Sequence, residues 1–371
     1  MKKIKYIDLL LLSEEEVRTM PVLIEKHKSN LDYIKYKSGN IDATIIQHAR
    51  FSYTSEKDGI KYKIIKGRNR KWNLHLSLFL SLRKQKPDVI LVHSMIYAFQ
   101  IIILRWIVGS GTKFIVQNHA EKPSTSNRKF IQKLAGKCID AYLFVSKTQT
   151  TAWIDAGIIR NTSKIYEVME GSTNFTLRDK YNSKTNLDFK DVTLFLWVGR
   201  LDLNKDPLTI LKSFGLYVAQ NKMARLIMIY GTAELEPEVR NFIYQNKLES
   251  SIQLSGRIEH AKLEQYYNAA DYFILGSHYE GSGYALCEAM ACGCVPIVTD
   301  IPSFRAMLNQ GECGYLFEPG SSEELSEILM KLNENERERY QKKVIEKFKK
   351  DLSFEAIGTK ISEIIIDLTQ E

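Results

Sequence analysis

The chain has 371 residues, 44% of them hydrophobic, and a net charge of +8. That length exceeds what one compact core holds and predicts two domains, while the apolar share excludes a disordered polymer. Five cysteines, odd in number and without paired zinc spacing, exclude a disulfide scaffold or a zinc-finger set.

The charge is uneven. Residues 1–176 carry 29 Lys+Arg against 15 Asp+Glu, and residues 177–371 carry 23 against 29, so an anionic partner meets the first half. At the N-terminus the apolar run from Ile7 to Leu12 is broken by Asp8 and followed by three glutamates, which does not make a signal peptide. Ser13 and Glu16 predict a capping box ahead of Val17, Met20 and Leu23. "NIDATIIQHA" reads as a strand. Then comes the densest basic stretch, "KDGIKYKIIKGRNRKWN", Lys57 to Asn73, with Tyr62 and Trp72 interleaved. It reads either as a solvated hairpin or as a contact with anionic lipid or a phosphate-bearing acceptor. Zinc-finger, RNA-binding and basic-helix signatures are missing, so nucleic acid is not expected as a partner.

Beyond it, "NLHLSLFLSLRKQ" predicts a helix, "PDVILVHS" a strand, "AFQIIILRWIVG" a helix ended by Gly109, and "TKFIVQNHA" and "DAYLFVS" two more strands. Continuous apolar strands joined by helices predict a parallel sheet covered on both faces. The most apolar stretch, Val89 to Val108, contains His93, Gln100 and Arg105, too polar for a membrane span. A cytoplasmic chain, soluble or peripheral on the inner membrane face, with free and mostly buried thiols, is therefore expected.

A polar stretch from Thr176 to Asp191 marks a linker, after which the alternation restarts. "VTLFLWVG" is a strand, followed by a helix capped by Asp206 with Pro207 in its first turn. "ARLIMIYG", "SIQLSG", "DYFILGS" and "CVPIVTD" are further strands, separated by helices in "EVRNFIYQNKL", "AKLEQYYNAA" and Tyr284 to Ala291. Charged and amphipathic helical patterns complete the chain from Ser321 to Leu368. Two doubly wound α/β domains facing each other would hold a ligand in a cleft, outside the carboxyl ends of their strands.

Four features of the second half point to that ligand. Arg200 and Lys205 in "WVGRLDLNKDP" lie between a strand and a capped helix, where two cations converge on a helix N-terminus and make an anion site. Gly281, Ser282 and Gly283 lead into a helix at Tyr284 and present backbone N–H groups. Leu286 stands where a dinucleotide fingerprint needs its third glycine, so that motif is excluded. Glu280 and Glu288 would repel phosphate and suit hydroxyl groups instead. A diphosphate between two hydroxyl-rich parts, a nucleotide-sugar, satisfies all of them. The plainer alternative makes Glu280 a helix cap, Glu288 a surface residue, and Arg200 and Lys205 loop cations partnered by Asp202 and Asp206.

"GRLDLNKDP", "GTAELEPEV", "GRIEHAKLEQYYNAADYFILGSHYEGSGYALCEAMACGCVPIVTDIP" and "CGYLFEPG", in order over residues 192 to 345, resemble glycosyltransferase family 4, retaining enzymes of the GT-B fold. The resemblance implies two Rossmann-like domains, 1–176 on the acceptor side and 177–350 for the nucleotide-sugar, with 351–371 as a helix packing back on the first. It implies that Arg200 and Lys205 bind the donor diphosphate, Glu280 the transferred sugar, Glu288 the ribose, Gly281 to Tyr284 the sugar and phosphates, and Arg257 and Ile258 the base. In the first half, "PDVILVH" ending at His93 and "KFIVQNHAEKP" with His119 are similar to family strands. His119 would contact the transferred sugar, and its place after an apolar strand and before a polar loop favours function; His93 reads equally as a satisfied core histidine. Departures are the missing glycine pair in the first loop, where "LLLLSEEEVRTM" stands, Glu170-Gly171 for Asn-Gly, Ser282 for phenylalanine, and Arg305.

The implied activity is hexosyl transfer from a UDP- or GDP-sugar to a glycan or lipid-linked acceptor. It would serve surface polysaccharide or glycolipid synthesis, without a metal and with no other cofactor, at an anionic membrane surface met by the basic half. A sugar-nucleotide epimerase of similar fold, or a catalytically inactive GT-B partner subunit, are the alternatives.

Overall fold

The computed structural model describes residues 3–14, 31–49, 51–57, 59–66 and 76–370. Two compact units emerge, one of Met1–Ser172 with Phe354–Glu371, the other of Thr173–Ser353. Each is built on a parallel sheet with helices between its strands.

The first unit contains β1 (Ile4–Glu14), β2 (Ile41–Ala49), β3 (Tyr53–Lys57), β4 (Ile60–Lys66), β5 (Val89–His93), β6 (Lys113–Gln117), β7 (Ala141–Phe144) and β8 (Ile165–Glu167). Their spatial order is β3-β4-β2-β1-β5-β6-β7-β8. All pair in parallel except β3, which forms an antiparallel hairpin with β4 at the sheet edge. β5 is buried at every position, as a strand covered on both faces requires. The basic stretch is thus a hairpin as far as Lys66, with Tyr62 buried, while residues 67–75 lie outside the described residues.

One expectation needs correction. Ser13 lies inside β1, paired in register with His48 of β2, and so does not cap a helix. The apolar residues ahead of it carry the strand onward, and sheet pairing overrides the local capping signal. Glu16, Val17, Met20 and Leu23 lie outside the described residues.

The second unit contains β9 (Thr193–Gly199), β10 (Ala224–Tyr230), β11 (Ile252–Gly256), β12 (Tyr272–Leu275), β13 (Val295–Thr299) and β14 (Tyr315–Phe317), in the order β11-β10-β9-β12-β13-β14 and all parallel. The chain runs outward from β9 to β11, then crosses to β12 and runs outward the other way. That reversal opens a crevice at the carboxyl ends of β9 and β12. In the first unit the same reversal falls between β1 and β5.

Asp271, at the entry to β12, binds this second unit together. Its carboxylate accepts from Lys184 at 2.6 Å and from the Leu194 N–H at 2.9 Å, with Lys180 at 3.4 Å and Arg337 at 3.7 Å. Burial alone would raise its pKa; the Lys180 and Lys184 charges and the Leu194 N–H outweigh that and hold it below the usual aspartate value.

The helix Phe354–Gln370 buries Phe354, Ile357, Ile361, Ile364 and Leu368 as part of the first unit. Ser362 Oγ accepts from the Ser38 N–H at 3.0 Å. A Cβ on Gly358 would lie 2.4 Å from the Tyr33 carbonyl oxygen, so only glycine lets the helix backbone come this close. Among the described residues no helix is long and apolar enough to cross a membrane.

Candidate active site

In the second unit the reversal between β9 and β12 assembles a compact polar group. Asp202, nearly buried, accepts from the Lys205 N–H through its carboxylate at 2.9 Å and fixes the loop after β9. Asp206 follows with a left-handed φ of 42°, and its side chain caps the helix Pro207–Gln220 by accepting from the Thr209 N–H at 3.3 Å while also accepting from Thr209 Oγ1 at 2.6 Å. This loop turns Lys205 inward, where its ammonium donates to Glu280. Both side chains are largely buried, at 13% and 15% exposure. Asn204 Nδ2 donates to the Tyr279 carbonyl at 3.0 Å and Ser303 Oγ to the Glu280 carbonyl at 3.1 Å, which holds the loop after β12 against its neighbours.

Gly283 then starts the helix Tyr284–Ala291 with φ of 70° and no side-chain cap. A Cβ there would lie 2.5 Å from Phe304 Cε1, so the glycine is required twice over, by backbone conformation and by space. Ser282 is buried and Gly281 and Tyr284 half-buried at this helix mouth, where the backbone dipoles favour negative charge. Arg200 is different. It is 60% exposed and its Nε lies 3.1 Å from Asp202, the surface partner foreseen in the plainer reading. Arg257 and Ile258 follow β11, two strands away from β9, with Arg257 exposed.

Glu288 is buried one turn inside the helix. Its two oxygens accept separately, Oε1 facing His260 Nε2 at 2.6 Å and Oε2 receiving Tyr267 OH at 2.9 Å. Phe175 stacks on His260 with ring centroids 5.0 Å apart. Glu280 and Glu288 are therefore held by different partners, one by a cation and the other by an imidazole and a phenol. His260, Tyr267 and Phe175 were not foreseen; the only trace they leave in the sequence is aromatic residues at helical spacing, which core packing explains as well. Among the described residues the cysteines form no disulfide, and burial pushes Cys294 up to about 12.

The first unit holds a second polar group, on the carboxyl side of β5 and β6. His93 ends β5, and His119 stands two residues past β6. His93 Nδ1 and His119 Nε2 are 2.9 Å apart. His93 Nε2 faces Asp8 Oδ1 at 2.8 Å, and His119 Nδ1 faces Glu170 Oε2 at 2.6 Å. The other Asp8 oxygen accepts from Tyr33 OH at 2.5 Å and Tyr6 OH at 3.0 Å. The Glu121 carboxylate accepts the His119 N–H at 2.8 Å and Asn118 Nδ2 at 2.7 Å. Ser94 and Ala120, the residues after the two histidines, have φ of 88° and 68°, strained backbone of the kind that gathers at functional sites.

The electrostatics follow from these contacts. Burial alone would lower the pKa of His119; the hydrogen bond to Glu170 and the charges of Glu170, Glu121 and Asp8 outweigh it and raise it above the usual histidine value. Burial works against the charge on Asp8, but His93 and the tyrosine hydroxyls hold its carboxyl below the usual range. Burial, with Asp8 alongside, pushes Tyr6 and Tyr33 well up, so both remain neutral donors. Both ring nitrogens of His93 are thus satisfied, one by Asp8 and the other by His119. The sequence reading did not single out Asp8, although an acid inside an apolar strand is the signal of a buried, paired charge.

Residues 179–351 match the model of a protein family described as Glycosyl transferases group 1. A mannosylfructose-phosphate synthase from Agrobacterium fabrum is 29% identical over 149 residues, 38% of this chain and 33% of that protein. A GDP-mannose:cellobiosyl-diphosphopolyprenol alpha-mannosyltransferase from Xanthomonas oryzae is 30% identical over 33% of this chain and 32% of its own length. The chain thus spans about a third of the length of these relatives. Among solved structures, a glycosyltransferase from Rickettsia africae superposes with a TM-score of 0.76 at 16% identity, covering 100% of both chains. HepE of Anabaena, solved with UDP and glucose, gives 0.67 at 15% identity, covering 98% of this chain and 100% of its own. These likenesses show a shared α/β fold of two parallel-sheet domains, that of the GT-B glycosyltransferases.

Proposed function

We propose, on the premise that residues 179–351 form a glycosyl transferases group 1 domain, that this chain moves a sugar from a nucleoside-diphosphate sugar to a glycan or lipid-linked acceptor with retention of configuration. The observation that carries the proposal is the Lys205–Glu280 pair at the β9/β12 reversal, set at the mouth of the helix Tyr284–Ala291. The Lys205 ammonium and the helix N-terminus supply positive potential for a departing diphosphate. Glu280, neutralised by Lys205, accepts from sugar hydroxyls without repelling the phosphates beside it. Glu288, oriented by His260 and Tyr267, keeps lone pairs for a ribose diol, and Arg200, exposed beside Asp202, adds a second charge to the diphosphate. The solved neighbour bound to UDP and glucose makes UDP the first nucleotide to test. Calorimetry with UDP and GDP should show binding to the unaltered chain, weakened about tenfold or more in Lys205→Ala; equal affinity in the variant would refute the diphosphate role.

A membrane-borne acceptor fits the first unit. Trp106 is 83% exposed and Phe130 66%. They lie on adjacent helices, Ala98–Val108 and Arg128–Gly136, the second of which also bears Arg128, Lys129 and Lys133. Exposed aromatics among lysines suit an interface with anionic lipid. Sedimentation with phosphatidylglycerol vesicles should fall in Trp106→Ser/Phe130→Ser, and neutral phosphatidylcholine vesicles should bind weakly in either case. Equal sedimentation of the variant with both would remove the membrane assignment.

A further inference from the structure

Asp8, His93, His119 and Glu170 form a chain of three hydrogen bonds, two of them histidine–carboxylate and one histidine–histidine. Each bond needs one ring N–H. Asp8 and Glu170, as carboxylates, can only accept, so His93 Nε2 and His119 Nδ1 must both carry hydrogen. The bond between His93 Nδ1 and His119 Nε2 needs a third hydrogen. Two neutral imidazoles have only two. The geometry therefore calls for one extra proton shared by the pair, giving it a single positive charge.

We propose that Asp8, His93 and Glu170 are positioning residues that keep this proton on the histidine pair and lock the ring of His119, so that His119 acts through a fixed charge and orientation, not as a base. Both of its nitrogens are engaged within the protein, while 24% of its side chain remains exposed. A ring so held has no lone pair with which to take a proton from an acceptor. The charged and titratable groups around it bear on the same point: Asp8 and Tyr6 on β1, Tyr33 beyond Asp8, His93 at the end of β5, Glu121 at its own backbone N–H, and Glu170 after β8. Three carboxylates surround one shared positive charge, so the group as a whole is electronegative. It suits hydroxyls and the positive charge that grows on a sugar ring as its leaving group departs, and it disfavours phosphate. This last step rests on the transferase reading; the proton count does not.

Histidine-selective 15N NMR on the full chain tests the proton count without any substrate, so its failure is distinct from a failure to find transfer. The His119 resonances are assigned as those lost in His119→Gln. The unaltered chain should show both His119 nitrogens protonated at pH 7, with a titration midpoint above the ordinary imidazole value of about 6.5. Glu170→Gln, which keeps an acceptor beside the ring but no charge, should lower that midpoint by about one pH unit or more while thermal unfolding stays cooperative. Asp8→Asn supplies a second, independent loss of charge, and the spectrum of the unaltered chain decides the matter even if that buried variant folds poorly. A His119 ring that is neutral at pH 7 in the unaltered chain, or a midpoint unmoved by Glu170→Gln, would overturn the proposal.

Discussion

His119 illustrates how single residues depend on distant ones. Its folded pKa is raised, so the charged ring contributes stability in full below about pH 6.5, the ordinary value, and loses that contribution as pH rises through the raised one. Unfolding free energy measured from pH 6 to 9 should therefore fall on the alkaline side, and the fall should be smaller in His119→Gln. Gly283 gives a sharper case. Gly283→Ala places a methyl against Phe304 in a left-handed backbone and should cost about 1–3 kcal/mol, read by denaturant titration. At this scale the second unit was legible: Lys205, Glu280, Glu288 and the glycine loop announce themselves within short local stretches. Asp8 was not, because the residue that explains it, His93, is 85 positions away and an acid in an apolar run reads as an interruption.

Among elements, the contest is between local signals and pairing. Ser13 has the spacing of a helix cap, yet the strand it extends is already paired on both sides, with β2 and β5, and that pairing decides. Asp206 and Pro207 carry equally local signals and do start a helix, because the residues after them bury an apolar stripe. Asp271 shows an element junction held by charge. Helix Lys180–Thr185, β9 and helix Glu334–Lys347 all send a group to it. Asp271→Asn leaves Lys180 and Lys184 without their counter-charge and should destabilise the second unit by about 3 kcal/mol or more. The lowered pKa fixes the sign of the acid response: the Asp271 contribution is present above the ordinary aspartate range and is lost as pH falls through the folded value. Urea titrations at pH 7 and pH 3 should show the difference between Asp271→Asn and the unaltered chain shrinking in acid.

For the molecule as a whole, alternation of apolar strands and helices was enough to indicate two parallel-sheet domains, and the solved neighbours share that fold. What alternation could not convey is that the last helix completes the first unit, since a helix's own periodicity says which face is apolar and not what covers it. The contact at Gly358 makes this testable. Gly358→Leu should push the helix from Tyr33, and deletion of residues 354–371 should uncover its apolar footprint. In hydrogen exchange, β1 and β2 should lose protection in both variants while β9 and β10 keep theirs; unchanged exchange in β1 would refute the dependence.

Tyr33 touches Gly358 through its carbonyl oxygen and Asp8 through its hydroxyl. The residue that anchors the histidine chain is therefore braced by a segment that follows the whole second unit in the chain and is made after it. During synthesis the first unit waits, its sheet already encoded but its brace still to come, for the time needed to translate residues 173–353. Completion of the first unit is a late event, timed by the C-terminal helix and not by the strands that bear the histidines.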